Sequence, residues 1–143
     1  MKAIQITGAK SDPKITLTDT LSKPIATGEQ VLIKVHAAGI TADEITWPEL
    51  YEASTRVPGH DVSGVVEALG PEYDGPLSVG SEVFAMLRAS ADQGGQAEYV
   101  TAALDEVTLK PSSISHAEAA ALPIPVLTAW EAIHTHAKIQ RGS

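Results

Sequence analysis

Alternation of apolar and polar positions sets the first expectation. Residues 30–37 show it most clearly. Val31, Ile33 and Val35 fall on one face of an extended chain, with Leu32, Lys34 and His36 on the other. Residues 2–7 read as a first strand. Residues 14–18, where Ile15 and Leu17 alternate with polar neighbours, are its expected hairpin partner. Residues 62–69, 82–87, 96–100 and 107–109 complete the set of strands. Between strands stand turn signals: Thr27-Gly28, Gly70-Pro71, Asp74-Gly75-Pro76, Gly80 and Gly94-Gly95. Many short strands with frequent turns predict a compact, mostly antiparallel barrel or sandwich, so the fold class is mainly β (β-rich α+β).

The period changes over the last thirty residues. Ser115-His116-Ala117-Glu118 fits a capping box, with Ser115 at the cap and Glu118 three positions on. A short helix through Ala119-Ala120-Ala121 is expected to end at Pro123 and Pro125. Apolar residues then recur at Val126, Trp130, Ile133 and Ala137, steps that place them on one face of a second helix over residues 126–137.

Composition narrows the function. With 143 residues and 43% hydrophobic positions, the chain is long enough to bury roughly two-thirds of its unfolded surface in one core. Its formal charge of -8 comes without any basic run. No nucleic acid partner and no anionic membrane surface are therefore expected. The absence of cysteine rules out disulfides and thiolate zinc sites. The N-terminus lacks the apolar stretch of a signal peptide, and no run approaches the roughly 18–20 residues that span a bilayer, so a cytoplasmic location is expected.

Several groups carry candidate chemistry. His60-Asp61 directly precedes an apolar strand. Either His60 is a metal ligand or a polar anchor lining a cleft, or it satisfies backbone groups while Asp61 caps a turn. A catalytic zinc usually needs three protein ligands, and the nearest supporting position, Thr41, offers only a hydroxyl. Asp43-Glu44 reads as a solvated turn or helix N-terminus rather than an acid–base pair. Trp47 and Tyr51, in a chain with only 4% aromatic residues, either wall an apolar pocket or anchor the core. His134 and His136 are two apart, so on a helix they project about 200° from each other and cannot share an ion. They read as surface histidines, as do His36 and His116. Gly94-Gly95 suits a hairpin turn. No nucleophile elbow, phosphate loop or G-x-G-x-x-G stretch is present.

Pro58-Gly59-His60-Asp61-Val62-Ser63-Gly64 matches "P-G-H-E, two residues, G" except that Asp61 replaces glutamate. Together with Val31-Leu32-Ile33-Lys34-Val35-His36-Ala37-Ala38-Gly39-Ile40, Val79-Gly80-Ser81-Glu82-Val83, Gly94-Gly95-Gln96-Ala97-Glu98-Tyr99, Glu118-Ala119-Ala120-Ala121-Leu122-Pro123 and Leu127-Thr128-Ala129-Trp130, it resembles the N-terminal, GroES-like catalytic domain of medium-chain dehydrogenases/reductases. The chain is most similar to the zinc-free quinone oxidoreductases. The resemblance implies a partly open barrel with short helices over residues 1–125. Residues 126–143 would form a connecting helix toward a Rossmann domain, with Arg141-Gly142-Ser143 standing just before its first strand.

The function implied is the substrate-side domain of an NAD(P)H-dependent, zinc-independent oxidoreductase that transfers hydride to a quinone, enone or carbonyl, inactive without its second domain. Thr41 stands where zinc-dependent members have a cysteine ligand, and Thr128 matches a threonine near the nicotinamide. Both are expected at the cofactor, NADPH or NADH. His60 matches a zinc ligand of alcohol dehydrogenases, but without the cysteine no zinc is expected. Trp47, Tyr51 and His60 are expected to line the side of a small-molecule acceptor. No residue stands out as a general acid. The exposed face of the terminal helix could support a homodimer. The competing expectation is a stand-alone, non-catalytic GroES-like binding module. A co-chaperonin is disfavoured, because no long loop ending in an exposed aliphatic tripeptide is present.

Overall fold

A computed structural model describes residues 1–89 and 93–140. Two sheets carry the architecture. The first is a hairpin of β1 (Ala3–Ala9) and β2 (Asp12–Thr18), paired antiparallel from Ala3 opposite Thr18 to Ala9 opposite Asp12. Pro13 is tolerated because β2 is an edge strand. The second sheet has five strands: β3 (Val31–Ala38), β4 (Asp61–Leu69), β5 (Glu82–Met86), β6 (Tyr99–Ala102) and β7 (Val107–Leu109). Their order is β6-β3-β4-β5-β7, and every pairing is antiparallel. An isolated bridge, Ala3 opposite Ala97, joins β1 to the segment that leads into β6. The result is the sheet-rich, antiparallel arrangement that the turn pattern implied, partly open as the resemblance implied.

The core is mostly aliphatic and β-branched, built from Val31, Ile33, Val62, Val66, Val83 and Val100 with Leu77 and Leu87. Strict alternation fails in β3. Leu32 is buried as well as Val31 and Ile33, and the register to β4 shifts between Leu32 and Ile33 and again between Val35 and Ala37. Each irregularity re-aims the side chains that follow it. Gly64 allows β3 and β4 to approach: a β-carbon there would lie 2.1 Å from the Lys34 carbonyl oxygen.

Two other expectations are corrected. β6 begins at Tyr99, not at residue 96, because Gln96 hydrogen-bonds away from the sheet. Its N–H donates to the Pro58 carbonyl (2.9 Å) and its own carbonyl accepts from Ile4 (2.8 Å). Gly94 and Gly95 do not form a hairpin tip. They run beside residues 57–59, with Gly94 N–H on Val57 O (2.8 Å) and Gly95 N–H on Gly59 O (2.7 Å).

The capping box forms as expected: Ser115 Oγ accepts from Glu118 N–H, and the Glu118 carboxylate accepts from Ser115 N–H. It opens α1 (His116–Ala119). Pro123 and Pro125 start α2 (Pro123–Trp130) instead of only ending α1. Proline lacks an N–H, and the first turn of a helix has no internal acceptors for one. The chain continues as a π-helical segment, Glu131–His136. Among the described residues the apolar face over 126–137 is left exposed, Trp130 by 61% and Val126 by 52%. No helix among the described residues is long and apolar enough to cross a membrane.

Candidate functional site

The site is built where β3 ends and β4 begins. After Ala38-Gly39 the chain passes Thr41, takes two 3-10 turns, Glu44–Thr46 and Pro48–Tyr51, and returns through Pro58-Gly59-His60 into β4. Asp43 opens the first turn in a left-handed conformation (φ 69°), which aspartate tolerates better than most residues. That kink separates the two acids. Asp43 is exposed, but Glu44 is buried, 3% exposed. The solvated-turn expectation therefore fails for Glu44. Its Oε1 accepts the Gly59 N–H, and His60 Nε2 lies 3.4 Å from the same oxygen.

His60 is held from three sides. Its Nδ1 donates to the Leu87 carbonyl (3.2 Å), and the Leu87 N–H donates back to the His60 carbonyl (2.7 Å). Trp47 stacks on the ring at 5.0 Å between centroids and 17° between planes. Nδ1 must carry the hydrogen, since a carbonyl only accepts. Nε2 thus faces Glu44. His60 thus satisfies a backbone carbonyl, as one of its two readings has it, and it packs with Glu44 beneath Trp47.

Asp61 is 4% exposed. Its Oδ1 accepts the Ile124 N–H at 3.0 Å, and its carbonyl accepts the Gly39 N–H at 2.7 Å. Burial pushes the carboxyl up to about 6, against the bond from Ile124 and the nearby His60, which favour the charged form.

Thr41 borders a cavity of about 440 Å³ lined by Ile4, Ile6, Ile15, Ile40 and Ile45, with Glu44 and Gln96. Thr128 lies on the exposed part of α2, four residues beyond Ile124. It is not among the residues lining that cavity. The Tyr51 hydroxyl donates to the Ile45 carbonyl (2.8 Å), and Arg56 lies over its ring. The structure therefore brings Trp47 and His60 together, adds Glu44, and ties Tyr51 to the first 3-10 turn through Ile45. Among the described residues, no group of three or more His, Asp or Glu is arranged to hold a metal.

A second polar cluster was not legible in the sequence. His116 was expected on the surface without partners. Instead its Nδ1 lies 2.7 Å from the buried Ser63 Oγ, whose proton goes to the Val83 carbonyl. Its Nε2 is 3.5 Å from Glu82, which Lys110 also approaches at 3.2 Å. The His36 ring sits 4.6 Å away, tilted. Burial, then the neighbouring His36, holds the His116 pKa below its usual range. Fifty-three residues separate Ser63 from His116, so no local pattern reveals the pair. His134 and His136 are exposed as expected. His134 packs on Trp130 at 3.9 Å.

Residues 27–112 match the family described as the alcohol dehydrogenase GroES-like domain. The chain is 33% identical to the quinone oxidoreductase of Homo sapiens over 99% of its own length and 43% of the human protein's. Among solved structures, the quinone oxidoreductase of Coxiella burnetii superposes with a TM-score of 0.80 at 30% identity, covering 99% of this chain and 46% of that one. A mycobacterial protein solved in complex with NADPH superposes with a TM-score of 0.80 at 26% identity, covering 99% and 43% respectively. The chain thus spans less than half the length of these relatives.

Proposed function

Because the chain belongs to the alcohol dehydrogenase GroES-like domain family, we propose that it is the substrate-side domain of an NAD(P)H-dependent, zinc-independent oxidoreductase acting on a quinone, enone or carbonyl. The observation that carries this reading is the convergence at the β4 entry. Gly39, two residues before Thr41, and Ile124, four before Thr128, both bond to Asp61. The likeness to a structure in complex with NADPH supports the cofactor. The residues present fit its nicotinamide end: two hydroxyls can hydrogen-bond a carboxamide, and no basic or glycine-rich phosphate cradle competes for that role. When bound, the nicotinamide supplies the hydride.

The remaining work belongs to this chain. Thr41 and Thr128 orient the nicotinamide. Trp47, stacked on His60, presents an aromatic wall to the acceptor, and Tyr51 steadies the turn that carries Trp47. Glu44 holds the Pro58-Gly59-His60 entry in place. Residues 1–125 form the acceptor-side unit, and residues 126–143 connect it to a nucleotide-binding domain. Arg141, Gly142 and Ser143 lie outside the described residues. The zinc-independent reading rests on Thr41, whose hydroxyl is a poor zinc ligand beside His60.

Calorimetric titration of the chain with NADPH tests the proposal. Weak but saturable binding is expected, reduced about tenfold (about 1.4 kcal/mol) by Thr41→Val or Thr128→Val. Binding that both substitutions leave unchanged would refute the assignment. A second reading, a non-catalytic module for an apolar ligand, draws on the isoleucine-lined cavity beside Thr41. It predicts that a hydrophobic dye binds there and that NADPH does not compete.

A further inference from the structure

The first turn of α2 is short of donors in an unusual way. Pro123 and Pro125 have no N–H, and the Val126 N–H already bonds to the Leu122 carbonyl at 2.9 Å. Ile124 is therefore the one residue of that turn with an N–H that needs an acceptor from elsewhere. Leu122, at the cap position, has no side chain that could supply one. Asp61 fills the gap with Oδ1 at 3.0 Å, from 63 residues away in sequence. An acidic side chain there also meets the positive end of the helix dipole.

The same residue grips the other strand of the site through its backbone. The Asp61 carbonyl accepts the Gly39 N–H at 2.7 Å. The packing at this junction is tight: a β-carbon on Gly39 would come within 2.9 Å of the Ala120 carbonyl oxygen and 3.0 Å of the Asp61 β-carbon. Residue 39, Asp61 and the turn between α1 and α2 thus form one junction. Thr41 leaves it two residues along one chain segment, and Thr128 lies one helical turn beyond Ile124.

We propose that Asp61 is a positioning residue: its carboxylate fixes α2, and with it Thr128, against the Gly39 to Thr41 segment so that both threonines meet one cofactor. This rests on the reading of Thr41 and Thr128 as nicotinamide contacts. Asp61 itself touches no reacting atom. The hydrogen bond that its side chain accepts comes from the Ile124 N–H, and an amide oxygen of similar reach can accept it as well. That sets asparagine apart from alanine.

The chain has no cysteine, so paired spin labels can be placed cleanly. Ala42 and Ala129, both exposed and each next to one of the threonines, take labels as Ala42→Cys with Ala129→Cys. Pulsed electron paramagnetic resonance should give one narrow distance with Asp61 and with Asp61→Asn, and a broad or doubled distribution with Asp61→Ala. In chains keeping Ala42 and Ala129, NADPH affinity should fall about five- to tenfold in Asp61→Ala and recover in Asp61→Asn. A distance unchanged by Asp61→Ala overturns the proposal. So does an NADPH affinity unchanged despite a broadened distance, or an Asp61→Asn chain that behaves like Asp61→Ala. If the unsubstituted chain binds no NADPH while the distances respond as expected, the anchoring by Asp61 stands and the cofactor reading falls.

Discussion

Asp61 shows how much a single position can hold that its letter does not reveal. Its place in the "P-G-H-E"-like motif was legible, and so was the possibility that it caps a turn. That its acceptor role serves a helix 63 residues away was not. Burial moves its pKa from an ordinary 3.8 to about 6, so the folded state prefers the protonated form. The stabilisation from that preference is complete below about pH 3.8 and is lost as pH rises through about 6. Above pH 6 the buried charge is a liability that asparagine removes while keeping the acceptor oxygen. Asp61→Asn should therefore raise stability at pH 7.5 by about 1–2 kcal/mol and flatten the stability profile between pH 4 and 6. Urea melts of both chains across that range check it. Glu44 makes the complementary point. Two adjacent acids look alike in sequence, but the left-handed Asp43 sends one to solvent and the other under Gly59.

Elements were more legible than the residues that join them. Strand existence followed from two-residue periodicity and turn chemistry, and all seven observed strands lie where those signals fall. Boundaries moved where backbone groups had better partners, as at Gln96, which pairs with Pro58 and Ile4 rather than extending β6. The capping box was read correctly because it is wholly local, spanning four residues. Its contribution should be ordinary: Ser115→Ala is expected to cost about 1 kcal/mol by removing an acceptor from the Glu118 N–H. The measurement is the shift in urea midpoint, with Ser115→Asp recovering most of it. Pro123 and Pro125 were misread as terminators because proline breaks a helix interior yet favours a first turn. Only the tertiary acceptor at Asp61 distinguishes those two uses here.

At the scale of the whole molecule, the described chain has an asymmetric surface. Its core is closed around Val31, Val62, Val66 and Val83, but α2 and the segment after it expose Val126, Leu127, Trp130 and Ile133. A residue that packs on nothing in the core contributes little to folding. Trp130→Ser should change stability by less than about 0.5 kcal/mol. It should also reduce concentration-dependent self-association, as read by sedimentation velocity, because it shrinks an exposed apolar patch.

The strand-rich class, the helical change of period near residue 115 and the family are all legible in the bare chain, because periodicity, turn residues and short motifs act over a few positions. Folding alone brings Glu44, Trp47 and His60 into one cluster, sets Ser63 against His116 and ties β4 to α2 through Asp61. Those contacts join residues far apart in the chain. What selects them is the desolvation of buried polar groups, each of which must find a partner wherever the packing places one.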